Sequence, residues 1–156
     1  MLSKEKKLNI QKQIEELEKN SSAELLAVIA QSIPSNSLPS FILKLLLKKY
    51  RQKLANNFIK NYYANIEQKN EDVKDIVLFF VCVDEKFVKI ITSKNINNKI
   101  PNSFWQNIID NFIKKVKQNK IEDGFIQAIK ESKDILLKEF PSTNNINELP
   151  NEVIEL

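Results

Sequence analysis

DIVLFFVCVDEKFVKIIT, residues 75–92, decides how the rest of the chain is arranged. It opens with eight consecutive apolar residues, Ile76 through Val83. A run this short and this rich in Val, Ile and Phe predicts a strand covered on both faces, hence a central one. After Asp84, Glu85 and Lys86, the side chains Phe87, Lys89 and Ile91 alternate with Val88, Ile90 and Thr92. A lysine on one of the two faces marks a less buried strand, antiparallel to the first. The connection lacks the Asn-Gly or Asp-Gly pair of the tightest hairpins, which predicts a slightly longer turn built on type I geometry.

Working outward, Ile10, Ile14 and Leu17 sit at helical spacing among Lys, Glu and Gln, behind a capping Ser3. Ser21 and Ser22 break that helix, and AELLAVIAQ (residues 23–31) reads as the first strand. Pro34 and Pro39 bracket a polar loop, after which residues 41–66 contain no breaker and form one long helix or two with a bend. Leu54, Phe58 and Tyr62 mark its expected buried stripe. A strand, a crossover of this length and a second strand make a βαβ unit, so the first two strands run parallel. Beyond the hairpin, SKNINNKIP is expected to be a turn-rich connection in which Asn95, Asn97 or Asn98 supplies left-handed backbone. One helix follows, carrying Trp105, Ile109, Phe112 and Val116. A second carries Phe125, Ile129, Leu136 and Phe140 and stops at Pro141. The expected fold class is α/β, a three-layer α/β/α sandwich with a small mixed β-sheet. Residues 1–141 form the domain, and residues 142–156 form an acidic tail that lies on the surface or frays.

With 156 residues, 42% of them hydrophobic and 28% charged, the chain falls in the soluble globular class. No apolar run approaches the roughly 20 residues needed to cross a bilayer, and the basic N-terminus lacks the apolar core of a secretory signal. Both point to the cytoplasm. The single cysteine, Cys82, lies inside the apolar run and reads as a small buried hydrophobe. There is no histidine, which removes histidine-assisted nucleophilic catalysis and histidine-ligated zinc together.

Three blocks of sequence resemble the TPM domain, a family named from a thylakoid-lumen protein, a photosystem repair factor and an auxiliary subunit of a nematode acetylcholine receptor. They are IEELEKNSSAELLAVI (residues 14–29), DIVLFFVCVDEKFVKIITSKNINNKIPNSFW (residues 75–105) and IEDGFIQAIKESKDILLKEFP (residues 121–141). The tail NINELPNEV is similar to that of compact soluble bacterial members, often encoded beside LemA-type membrane proteins. The resemblance implies the fold. Its motifs are structural, so it says little of activity. Where the family has glycines, at Ala23, at Asp75 and around Asn95, this chain has none, and Gly124 is its only glycine.

Two features bear on function. The predicted topology brings Glu24, Asp75 and Asn95 to one end of the sheet, where two carboxylates and an amide oxygen either share Ca²⁺ or Mg²⁺ or act as solvated caps. Some relatives in the resembling family are described as phosphatase-like. A metal-dependent phosphatase-like enzyme is therefore the alternative to the main reading. That reading starts from residues 32–66, which hold Lys44, Lys48, Lys49, Arg51, Lys53 and Lys60 and no acid. Beside them, Phe41, Leu43, Leu46 and Leu47 belong to a run more apolar than one helix face buries. This segment is either an ordinary packed helix with a solvated basic face or a docking edge for an anionic membrane or a membrane protein. The expectation is a non-catalytic accessory domain, cytoplasmic and peripheral at the inner membrane. The pI near 9.0 comes with no recognition helix or RNA motif, so no specific nucleic-acid binding is expected.

Overall fold

The computed structural model describes residues 1–33, 48–142 and 147–156, with residues 48–51 described by their backbone alone. The order is α1 (Lys4–Glu18), β1 (Glu24–Ala30), α2 (Lys48–Lys69), β2 (Ile76–Cys82), β3 (Phe87–Thr92), α3 (Lys94–Lys99), α4 (Asn102–Lys117), α5 (Ile121–Glu139) and β4 (Ile154–Glu155). The strands lie side by side as β3-β2-β1-β4. β1 runs parallel to β2 and β4, and β2 runs antiparallel to β3.

Every residue of β1 and β2 is buried, as double coverage requires. Leu25, Ala27, Ile29, Val77, Phe79 and Val81 face α1, α4 and α5. Leu26, Val28, Ala30, Leu78 and Phe80 face α2. This is the expected sandwich around a small mixed sheet. Cys82 is buried, and both that burial and the adjacent Glu85 raise its thiol well above the ordinary range, which keeps it protonated.

Four details differ from the sequence pattern. First, the innermost line of α2 is Ala55, Ile59 and Tyr63, while Leu54, Phe58 and Tyr62 are half-buried. The small Ala55 faces the sheet, and the bulkier Phe58 meets Phe80 edge-on at 6.1 Å from the flank. Second, residues 94–99 are helical. Ser93 accepts from the Ile96 amide as an N-cap, and buried Ile96 and Ile100 anchor the turn. Left-handed backbone occurs instead at Lys86 (φ 47°), in the hairpin turn closed by the Lys86 amide on the Val83 carbonyl, and at Asn119 (φ 59°), which ends α4. Third, the tail does not fray over its described part. Leu149 and Val153 are buried, β4 pairs with Val28 and Ile29, and Glu155 joins Lys7 at 3.0 Å. Too few apolar residues stand among its acids for a strand to show by pattern. Fourth, Gly124 has a packing reason: a Cβ there would lie 2.3 Å from the Phe112 ring, which itself stands edge-on to Phe125 at 4.8 Å.

Phe79 is fully buried in β2, so Phe79→Ala is expected to cost about 3–5 kcal/mol in denaturant unfolding. Gly124→Ala would gain about 1 kcal/mol of helix propensity. Displacing the Phe112 ring costs about 1–3 kcal/mol. The variant is therefore expected to unfold earlier than wild type, and adding Phe112→Leu is expected to restore part of the loss.

Candidate functional site

The end of the sheet where β1 and β2 begin holds the polar groups that the sequence singles out, and the parallel register divides them. Glu24 stands opposite Ile76, one residue out of step with Asp75. Successive strand residues point to opposite faces, so the two side chains leave the sheet in opposite directions. Asp75 and Asn95 meet, with the Asn95 amide donating to Asp75 Oδ1. Glu24 faces the C-terminal segment instead.

The Asp75 corner ties three elements together. Ser22 Oγ donates to Asp75 Oδ2 at 2.8 Å, and the Glu24 amide donates to the Asp75 carbonyl at 2.7 Å. Ser93 Oγ accepts from the amides of Ile76 and Ile96, which fixes the exit of β3 over the entry of β2. A hollow of about 400 Å³ opens alongside, walled by Glu67, Asn70, Lys74, Lys94 and Asn98. Among the described residues no group of three or more Asp, Glu or Cys side chains converges as a metal site would require.

The Glu24 corner is buried. Glu24 and Glu18 are 0% and 4% exposed, rare for carboxylates. Glu18 Oε1 accepts from the Leu25 amide at 2.8 Å, and Glu24 Oε2 accepts from the Leu149 amide at 3.1 Å. With its side-chain nitrogen turned toward acceptors, Asn147 donates to Glu24 Oε2 (3.3 Å) and to the Leu149 carbonyl (2.7 Å), and its oxygen accepts from Asn151 (3.2 Å). Asn151 also hydrogen-bonds Glu18. The two acids thus fasten the end of α1, the start of β1 and the segment leading to β4. Burial, and to a lesser degree the neighbouring charge of Glu24, pushes Glu18 up to about 8 against the pull of the Leu25 amide. Both acids are committed to holding backbone.

The sequence reading overlooked Glu18, although it falls four residues after Ile14 on the apolar stripe of α1, where a carboxylate is out of place. Of the expected docking residues, Phe41, Leu43, Lys44, Leu46 and Leu47 lie outside the described residues. Lys48, Lys49 and Arg51 form the first turn of α2. Further along, Gln52, Lys53, Asn57, Lys60, Asn61 and Asn65 are exposed, and no acid appears before Glu67. Among the described residues no helix is long and apolar enough to cross a membrane.

Glu18 releases its proton near 4.5 when unfolded and near 8 when folded, so between these values the unfolded chain binds fewer protons and stability falls as pH rises. Glu18→Gln keeps an acceptor for the Leu25 amide and cannot ionise. The variant is expected to flatten this decline and to exceed wild type in unfolding midpoint at pH 8–9, measured by denaturant titration across the range.

Comparison with known proteins agrees with the fold. A solved NMR structure, that of BA42 protein from the psychrophilic bacterium Bizionia argentinensis sp. nov., superposes with a TM-score of 0.76 at 23% identity. The match covers 99% of this chain and 95% of that one. No curated protein sequence matches the chain. The family model described as the TPM domain matches residues 1–135, which include Glu18, Glu24 and Asp75 but not the tail, and the chain belongs to the TPM domain family.

Proposed function

We propose that this TPM domain is a non-catalytic accessory module that rests on an anionic membrane surface, at the cytoplasmic face of the inner membrane, through the basic side of α2. The observation that carries the reading is the composition of that helix: exposed Lys53 and Lys60 stand among exposed Gln52, Asn57, Asn61 and Asn65, and its sequence has no acid from residue 48 to residue 66. A solvated helix face ordinarily mixes both signs, since acid–base pairs three and four residues apart stabilise it. Each lysine near an anionic bilayer contributes about 1 kcal/mol, so several acting together hold a domain at a surface without a spanning helix. The carboxylates at the end of the sheet fit the same reading, since they brace strands and tail.

Wild-type protein is expected to sediment with phosphatidylserine-containing vesicles and not with phosphatidylcholine vesicles. Binding should weaken as salt rises, because screening reaches about 10 Å at 0.1 M. Changing Lys48, Lys49, Arg51 and Lys53 together to Gln is expected to remove the anionic preference and leave the fold intact. Indifference to anionic vesicles at low salt would overturn the membrane reading and favour a membrane protein as the partner. Phosphomonoester turnover in Mg²⁺ or Ca²⁺ that disappears in Asp75→Ala would replace it with a phosphatase-like enzyme.

A further inference from the structure

The segment that closes the outer edge of β1, residues 147–156, is held far more lightly than the strand it covers. Among the described residues, β4 pairs only with Val28 and Ile29, and the Leu156 amide donates to the Ile29 carbonyl at 2.8 Å. On its other side β1 pairs with β2 along all seven of its residues. Leu149 and Val153 give the segment its buried apolar anchors. Its polar hold lies at two ends. At one, Glu155 accepts from Lys7 Nζ at 3.0 Å and from the Leu2 amide at 3.3 Å. At the other, the Leu149 amide and Asn147 converge on Glu24 Oε2, and Asn151 reaches Glu18. An element with so short a ladder parts from the domain before any strand of the core does.

An ionised Glu18 is a charge sealed from water, and such a charge needs a cation or solvent. The charges that act on it are Glu24 from β1 and Glu15 from its own helix, both acidic. The α5 helix, packed on α1, sends Lys133 to Glu16 at 3.1 Å, and the tail brings the neutral Asn151 between exposed Glu148 and Glu152. Of the elements that bond to this corner, α1 and β1 belong to the core, so solvent reaches Glu18 most readily where the tail lifts. We infer that residues 147–156 are a pH-operated strap, closed over β1 while Glu18 is protonated and lifted when Glu18 ionises, with the rest of the domain still folded. Lifting bares the outer backbone edge of β1, the kind of edge that proteins keep covered. Burial holds the Glu18 proton up to about 8 in the closed state, against an ordinary value of 4.5 once water reaches the carboxyl. Opening therefore releases a proton, grows about tenfold more favourable per pH unit between these values, and is constant above the higher one. At the far end of the strap the Lys7 hydrogen bond holds Glu155 below its ordinary value, and the amino terminus of Met1 acts in the same direction.

Amide hydrogen exchange of the full chain between pH 6 and pH 9, corrected for the intrinsic pH dependence of exchange, reads the strap directly. Protection at the Leu149 and Leu156 amides is expected to fall about tenfold per pH unit up to about pH 8 and then to level off. The Phe79 amide in β2 is expected to keep its protection throughout. Glu18→Gln is expected to hold the tail amides protected across the whole range. Glu24→Gln keeps an acceptor for the Leu149 amide and removes a charge that raises Glu18, so its fall is expected to level off at a lower pH. A fall unchanged in Glu18→Gln overturns the proposal and moves the pH dependence to the Lys7 end of the strap. Parallel loss of protection at Phe79 overturns it in favour of whole-domain unfolding, and tail protection indifferent to pH overturns it outright. Should Glu18→Gln fail to fold, the slope in wild type and the shifted plateau in Glu24→Gln still decide. None of these outcomes depends on the membrane reading of α2.

Discussion

β2 has no polar face. All seven of its residues are buried, those on one side against α1, α4 and α5 and those on the other against α2. Its backbone is also enclosed, by β1 on one edge and β3 on the other. A strand of this kind is stable only when two neighbours supply hydrogen bonds and two helical layers exclude water, since an unpaired amide or an exposed phenylalanine here is costly. The long crossover to β2, the short turn out of it and the return of α4 and α5 to one face are the connections that meet this demand. β1 shares the enclosure, and β4 completes the cover on its outer edge.

Apolar periodicity reports burial, so the features that depend on burial alone were legible. The hairpin of residues 75–92, the parallel crossover and the stripes Ile10, Ile14, Leu17 and Phe125, Ile129, Leu136 all lie where their spacing puts them. What escaped depends on which side of a helix comes closest, or on bonds between distant segments. In α2 two apolar lines run side by side, and period alone does not say that the one containing Ala55 faces inward. Residues 94–99 are rich in asparagine, a turn former, yet one serine cap and two isoleucines turn them into a helix. The tail is held by the acceptor it finds on Glu24, 125 residues earlier, which no local pattern encodes.

The candidate site shows the same limit. Topology correctly sends Glu24, Asp75 and Asn95 to one end of the sheet, but a register offset of one residue sends the first two to opposite faces. Asp75 joins Ser22 and Asn95 near solvent, and Glu24 joins Glu18 and the asparagines of the tail in the interior. Both groupings are polar staples where chain ends and turns converge, and each brings together segments far apart in sequence. The likeness to BA42, at 23% identity, speaks for the fold and not for the use made of it.

The buried Glu18 carries a consequence for a chain that has no histidine. Such a molecule lacks the side chain that ordinarily exchanges protons near pH 7 on folding. Glu18 changes that, since enclosing its carboxyl requires the chain to take up a proton from the buffer as it folds and to return it on unfolding. Part of the heat of unfolding then belongs to the buffer, so the calorimetric enthalpy at neutral pH differs between phosphate, which exchanges a proton with little heat, and Tris, which exchanges it with a large one. A side chain at the end of the first helix thereby enters the molecule's proton balance at neutral pH.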